Sequence, residues 1–224
     1  MREVLTYSRR GSRFTPSQQE SWDAHQHKWV IRDEVVDQPG FSLVEAFGRE
    51  APLIVEIGSG IGEATAVLAA ARPEVNVLAF EVWQPGVAHT LGLLAEARAD
   101  NVRLVSVDAV WAIEHLIEPG QLEELWTFFP DPWPKKRHHK RRLVSPSFAA
   151  LAASRLREGG RWRLATDWAE YADQMRVVLD AEEALVGGPV ERWSDRPITK
   201  FERKGRAVQR PIHDFEYVKK KVGK

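Results

Sequence analysis

Leu53-Ile54-Val55-Glu56-Ile57-Gly58-Ser59-Gly60-Ile61-Gly62-Glu63 reads as a short apolar strand stopped by three glycines at alternate positions and followed by a helix. Downstream the same alternation repeats. Arg72-Pro73 stops the helix, and a second strand runs from Val75 to Glu81. Pro85 opens another helix, and Val102 to Asp108 is a third strand. A short helix, Val110 to Ile117, is closed by Pro119-Gly120 before a fourth strand, Leu122 to Phe129. Ser145-Pro146 supplies an N-cap and an N1 proline for a helix through Leu156, ended by Gly159-Gly160. Arg161 to Thr166 is a fifth strand, and Tyr171, Met175, Val178 and Leu179 line one more helix. Strands alternating with helices predict a doubly wound α/β domain with a mostly parallel sheet. Ile212 to Val218 alternates apolar and polar residues, which suits an antiparallel closing strand. The domain is expected over residues 51–224. Residues 1–50 are polar and mixed, with Arg9, Arg10 and Arg13 around Gly11 and weak helical periodicity over Ser17 to Trp29. They are expected to form a mobile or loosely docked arm.

Composition narrows the chemistry. The 224 residues are 43% hydrophobic and 29% charged, enough for one domain with a sizeable core. The absence of cysteine excludes disulfides and thiolate metal sites. No apolar run approaches a membrane span and the first residues lack an apolar signal core, so a soluble cytoplasmic protein with no membrane partner is expected. The net charge is zero, yet residues 135–142 carry +6, leaving −6 for the rest. A neutral chain can still hold a strong local positive field.

In parallel sheets ligands sit off the carboxyl ends of the strands. Glu56, Glu81, Asp108, Asp131 and Asp167 end or follow the five strands in turn, so all five are expected to rim one face of the domain. A single acid there would be an ordinary helix cap or surface charge. Gly58, Gly60 and Gly62 depart from the dinucleotide fingerprint, because the third glycine comes one residue early. Glu56 and Glu63 flank the turn and would repel a pyrophosphate, whereas they suit a cation. S-adenosylmethionine carries a sulfonium and an ammonium and has no phosphate. Glu81 is placed to bond its ribose hydroxyls, and Asp108 to face the adenine.

The fourth strand runs into FFPDPWPKKRHHKRR, Phe128 to Arg142. Two prolines stiffen a loop that presents Asp131 and Trp133. Lys135 to Arg142 then offers six fixed positive charges, a run suited to phosphate contact. On its own the run reads equally as a solvated charged face. His138 and His139 are adjacent on that segment and read as phosphate or solvent contacts, with no metal site expected. Thr199-Lys200-Phe201-Glu202 has the form of a capping box at a helix start.

VEIGSGIGE, AFEVWQPGV, VDAV, PDPWPKKRHHKRR, LATDW and RPITKFERKGR together resemble the bacterial-type tRNA (guanine-N7-)-methyltransferases, over most of residues 50–210. The resemblance implies a Rossmann-like class I S-adenosylmethionine-dependent methyltransferase that modifies N7 of the variable-loop guanine at tRNA position 46. It implies that Glu56, Glu81, Asp108 and Asp131 serve the cofactor and active site, with Asp131 catalytic. It implies further that Lys135, Asp167 and Thr199, Lys200, Phe201 and Glu202 hold the guanine. Arg137, His138, His139, Lys140, Arg141 and Arg142 would meet RNA. It assigns nothing to the arm.

Overall fold

β1 (Leu53–Ile57) is buried at all five positions, as a strand covered by helices on both faces must be. The computed structural model in which it sits describes residues 6–7 and 11–221. Ahead of β1 come three helices, α1 (Pro16–Trp29), α2 (Asp33–Val36) and α3 (Leu43–Phe47). After it follow α4 (Glu63–Ala71), β2 (Asn76–Phe80), α5 (Gln84–Ala97), β3 (Val102–Val105), α6 (Ala109–Leu116) and β4 (Leu122–Phe128). A short 3-10 helix, Lys136–Arg141, precedes α7 (Pro146–Arg155), β5 (Leu156–Thr166) and α8 (Ala169–Asp180). The last elements are β6 (Leu185–Val190), α9 (Lys200–Ala207) and β7 (His213–Lys219).

The strands form one sheet in the order β3-β2-β1-β4-β5-β7-β6. β1 to β5 are parallel, whereas β7 runs antiparallel between β5 and β6. The strand order reverses between β1 and β4, and the crevice above that switch point is where an open α/β sheet binds its ligand. Two apolar cores flank the sheet. One gathers Val55, Leu125, Phe148 and Trp162, the other Ile54, Val77, Leu91 and Trp126.

Three expectations change. Residues 1–50 are not loosely docked from Thr15 onward. Thr15 caps α1 in a reciprocal box with Gln18, the buried Trp29 donates its indole N–H to Ala99 O at 3.0 Å, and Gln18 reaches Pro85 O. The weak periodicity of α1 hid this, because the helix docks on α5 through few residues. Arg9 and Arg10 lie outside the described residues. The helix after Ser145 ends at Arg155, and Gly159-Gly160 belongs to β5. A Cβ on Gly160 would lie 2.9 Å from Leu122 O, so strand contact fixes that glycine. β6 was not expected at all. Its Gly-Gly-Pro is a poor strand signal, tolerated here because β6 is an edge. Among the described residues no helix is long and apolar enough to cross a membrane.

Candidate active site

A cavity of about 380 Å³ opens above the switch point, within the usual size of small-molecule sites. Its floor is the glycine turn. Gly58, Gly60 and Gly62 all hold positive φ (74°, 62° and 78°), which a side chain would strain. At Gly62 a Cβ would also meet Thr90 at 2.4 Å. The turn folds onto the second strand end, because Gly60 N–H donates to Glu81 Oε2 (2.7 Å) and Trp83 N–H to Glu81 Oε1 (2.8 Å). The Gly60 amide that would face a phosphate in a dinucleotide site is therefore turned onto a carboxylate. Beside it, Glu56 is only 2% exposed and accepts from Thr65 Oγ1 at 2.6 Å. Burial pushes its carboxyl up to about 7, the Thr65 hydroxyl pulls it back, and the charge of Glu81 pushes it up further. Two acids, one of them costly to ionise, make a floor that favours a cation.

The far wall is the loop after β4, with Phe128, Phe129, Pro130 and Asp131 lining the cavity. Phe129 and Trp133 bracket Asp131 at φ of 54° and 46°, where bulky residues are rare. Such geometry costs on the order of 1–3 kcal/mol per residue and persists only where its surroundings impose it. Here they do. The Phe129 ring packs on Phe201 at 5.3 Å, and Arg141 lies 3.6 Å over the Trp133 ring. Trp133 is thus half-buried under its own chain.

The basic run divides into two parts. Lys135, Lys136, Arg137 and Lys140 are exposed on the segment that follows the Asp131 loop, and His138 is half-buried against Trp133. Arg142 is only 3% exposed, with Nε donating to Pro132 O (2.8 Å), Nη1 to Gln174 Oε1 (2.7 Å) and its plane over Tyr171. It braces the Asp131 loop from inside, through the Pro132 carbonyl. His139 faces Glu170 at 3.5 Å. Arg141 donates to Tyr7 O and the Trp133 indole to Thr6 O, so the residues at Thr6 and Tyr7 also line the cavity.

The remaining expected residues are not all in the cavity wall. Thr199, Lys200 and Phe201 line it, with Phe201 packed on Phe129 of the Asp131 loop. Glu202 does not. It is fully buried, held by Arg192 (3.0 Å), Arg196 (2.7 Å) and Arg206 (2.6 Å). Burial pushes its carboxyl up, but the arginines outweigh that and hold it below the usual carboxylate range. Only half of the capping box forms, Thr199 Oγ1 accepting from Glu202 N–H, because the glutamate is turned to the arginines. Expected to hold the guanine, Glu202 lies behind the cavity wall in this structure. Asp167 is nearly buried beneath α9, paired with Arg210 at 3.0 Å. Asp108 caps α6 through Oδ1, bonding the amides of Val110 and Trp111, while its neighbours Val107 and Ala109 line the cavity. Lys135 stands outside the cavity wall, at the start of the 3-10 helix. Glu63 was read only as an acid beside the turn. Its carboxylate takes the Lys200 amide and pairs with Arg203 (2.9 Å), tying the glycine turn to α9. Among the described residues no cluster of His, Asp or Glu could hold a metal ion.

S-adenosylmethionine fits this donor set. The buried Glu56 suits a cationic ligand, Glu81 at the second strand end lines the same cavity, and the Gly60 amide is turned away from any phosphate. The family model described as "Putative methyltransferase" matches residues 50–215. The tRNA (guanine-N(7)-)-methyltransferase of a Nocardioides species is 65% identical over 217 residues, covering 97% of this chain and 88% of that protein. The protein of the same name from Cutibacterium acnes is 47% identical over 229 residues, covering 96% and 83%. Among solved structures, the 16S rRNA methyltransferase KamB superposes with a TM-score of 0.58 at 15% identity, covering 84% of this chain and 98% of that one, a likeness of fold. Identity of this extent over nearly the whole chain makes it a member of the tRNA (guanine-N(7)-)-methyltransferase family, an enzyme whose cofactor is S-adenosylmethionine.

Proposed function

We propose that the chain methylates N7 of a guanine in tRNA, the variable-loop guanine at position 46. The observation that carries this is the placement of Asp131 between two regions of opposite charge. On one side lie Glu56 and Glu81, and on the other the exposed Lys135, Lys136, Arg137 and Lys140. The names of the relatives support guanine N7 of tRNA as the methylated atom. When bound, the cofactor supplies an electrophilic methyl group on a sulfonium. Glu56, Glu81 and the turn at Gly58, Gly60 and Gly62 hold it, with Asp108 fixing the start of α6 beside it.

Guanine N7 already has an in-plane lone pair, so its methylation requires no base to remove a proton first. The protein has to align N7 and compensate the positive charge that grows on the purine. Asp131, on a braced loop, places a fixed carboxylate there, which is electrostatic catalysis without reorganisation. Thr199, Lys200 and Phe201 form the facing wall for the base. Asp167, once Arg210 moves aside, can accept from the N1 and N2 hydrogens that distinguish guanine from adenine. Lys135 and its exposed basic neighbours meet the phosphates, and His138 and His139 pack beside them. Incubation with labelled cofactor and unmodified tRNA, followed by mapping of the methylated atom, tests the reading. 7-Methylguanosine at position 46 is expected. Label at an exocyclic amine, or at another nucleotide, would refute it.

A further inference from the structure

Arg196 is a large buried cation, 1% exposed, in a protein whose other buried charges mostly serve the sheet or the cavity. Its Nη1 donates to Glu202 at 2.7 Å, and its Nη2 to both oxygens of Asp214, at 2.8 and 3.0 Å. Glu202 belongs to α9 and Asp214 to β7, so one guanidinium joins the helix to the sheet. The two acids respond differently. Asp214 is raised by burial with Arg196 as its main counter-charge, whereas Glu202 is lowered because Arg192 and Arg206 share the task. The same guanidinium lies 5.4 Å from the Phe128 ring and 5.3 Å from the Phe129 ring. Its Nε is buried and has no hydrogen-bond partner among the described residues.

Buried ion pairs are poor sources of stability compared with apolar packing, so this arrangement asks for another reason. Phe128 and Phe129, beside Arg196, line the cavity, and Glu202, which it holds, directly follows the lining residues Thr199, Lys200 and Phe201. Phe129 is two residues before Asp131 and sits at positive φ, and Phe201 packs on it from the first turn of α9. Arg192 adds to the clamp, donating to Glu202 and to the Arg196 carbonyl.

We propose that Arg196 is a positioning residue that clamps the first turn of α9 and the Phe128–Phe129 end of β4 onto β7, so that Thr199–Phe201 and Asp131 face each other across the cavity. Arg196 touches neither cofactor nor base. Glu202 gains a role here as the anchor of α9. The proposal rests on the function proposed above for its kinetic readout, but not for its structural one.

Arg196→Lys in the full chain keeps one positive charge but cannot span both acids and lie flat on two rings. Hydrogen exchange in residues 199–207 should accelerate at least tenfold, while residues 53–71 exchange as in the wild type. Affinity for S-adenosylhomocysteine should stay within twofold, and kcat on unmodified tRNA should fall at least tenfold. Unchanged exchange in α9 would overturn the proposal. So would a parallel collapse of cofactor affinity, exchange protection and melting temperature, which would mean a purely structural residue. Phe201→Leu provides a second arm, because Phe201 is 46% exposed and leucine keeps an apolar side chain there. It should lower kcat without moving the melting temperature, and wild-type kcat there would also overturn the clamp. If the wild-type chain transfers no methyl group to tRNA, the proposed function fails, and exchange in α9 still decides the role of Arg196.

Discussion

Glu56→Gln tests the electrostatics of the cavity floor in the protein without ligand. Burial raises the Glu56 carboxyl from 4.5 to about 7, with the Glu81 charge adding to the rise. A shift of that size corresponds to about 3 kcal/mol of differential stability between the protonated and ionised forms. The folded pKa lies above the unfolded one, so the folded chain binds the proton more tightly. The contribution of Glu56 is fully present below about pH 4.5, declines as pH rises through the window to about 7, and is absent above it. Glutamine keeps the shape and can still accept from Thr65 Oγ1, yet it never has to ionise. Urea unfolding of the ligand-free proteins at pH 5, 6 and 8 should show the variant gaining on the wild type as pH rises, approaching about 3 kcal/mol at pH 8. Calorimetry with S-adenosylmethionine should show the opposite ranking. Wild-type affinity should strengthen between pH 6 and 8 as the carboxylate forms opposite a cation, and that pH dependence should vanish in the variant. A stability difference that is the same at all three pH values would refute the reasoning, because it would come from packing and not from ionisation.

Asp131→Asn should slow the chemical step by about 2.7–4 kcal/mol of barrier, the loss associated with one preorganised polar group, with cofactor affinity little changed. Single-turnover rates check this, and a loss confined to KM would contradict it. Replacing Lys135, Lys136, Arg137 and Lys140 together by glutamine should lower the log–log salt slope of tRNA binding by about 3 if each contacts a phosphate. Arg142→Gln should leave that slope alone and instead destabilise the fold by about 3 kcal/mol, because it removes a buried, bonded charge beneath the Asp131 loop. Thermal melts and salt titrations separate the two effects. A tRNA carrying 7-deazaguanine at the target position should bind and accept no methyl group, and methylation of it at N2 would mean that the loop serves an amine.

The fold and the cofactor end of the site were legible because they follow from local pattern. A buried strand, a turn at Gly58 to Gly62 and acids at successive strand ends are all readable within a few residues, and the rule for parallel sheets gathers them on one face. The expected antiparallel closing strand is present as β7. What escaped depends on partners far along the chain. Arg142 looks like its neighbours in the basic run, and only the Pro132 carbonyl, Gln174 and Tyr171 decide that it is buried. Thr6 and Tyr7 meet Trp133 and Arg141 across 127 and 134 residues. Glu202 fitted a capping box by spacing, but spacing cannot reveal three arginines competing for its carboxylate. Asp108 shows the opposite case, where the plain reading of a strand-end acid as a helix cap describes its Oδ1 contacts.

The neutral total charge conceals a division that the structure makes physical. Several buried acids are matched inside the protein, Glu124 by Arg72 and Arg163, Asp167 by Arg210, and Glu202 and Asp214 by Arg196. Glu56 and Glu81 line the cavity, Glu56 bonded to the Thr65 hydroxyl and Glu81 to the amides of Gly60 and Trp83. Lys200 and Lys204 at the cavity, and Lys135, Lys136, Arg137 and Lys140 on the segment after the Asp131 loop, are exposed to solvent. Salt screens exposed charges over about 10 Å at 0.1 M, so these charges act on a polyanion in a salt-dependent way, while the buried floor is screened much less. On the function proposed above, the two ligands would be selected by separate fields, with Asp131 in the cavity wall. A carboxylate there can answer charge developing on a base only if the loop holding it does not yield, which is why Arg142 beneath it and Arg196 behind Phe129 are buried despite the cost of burying them.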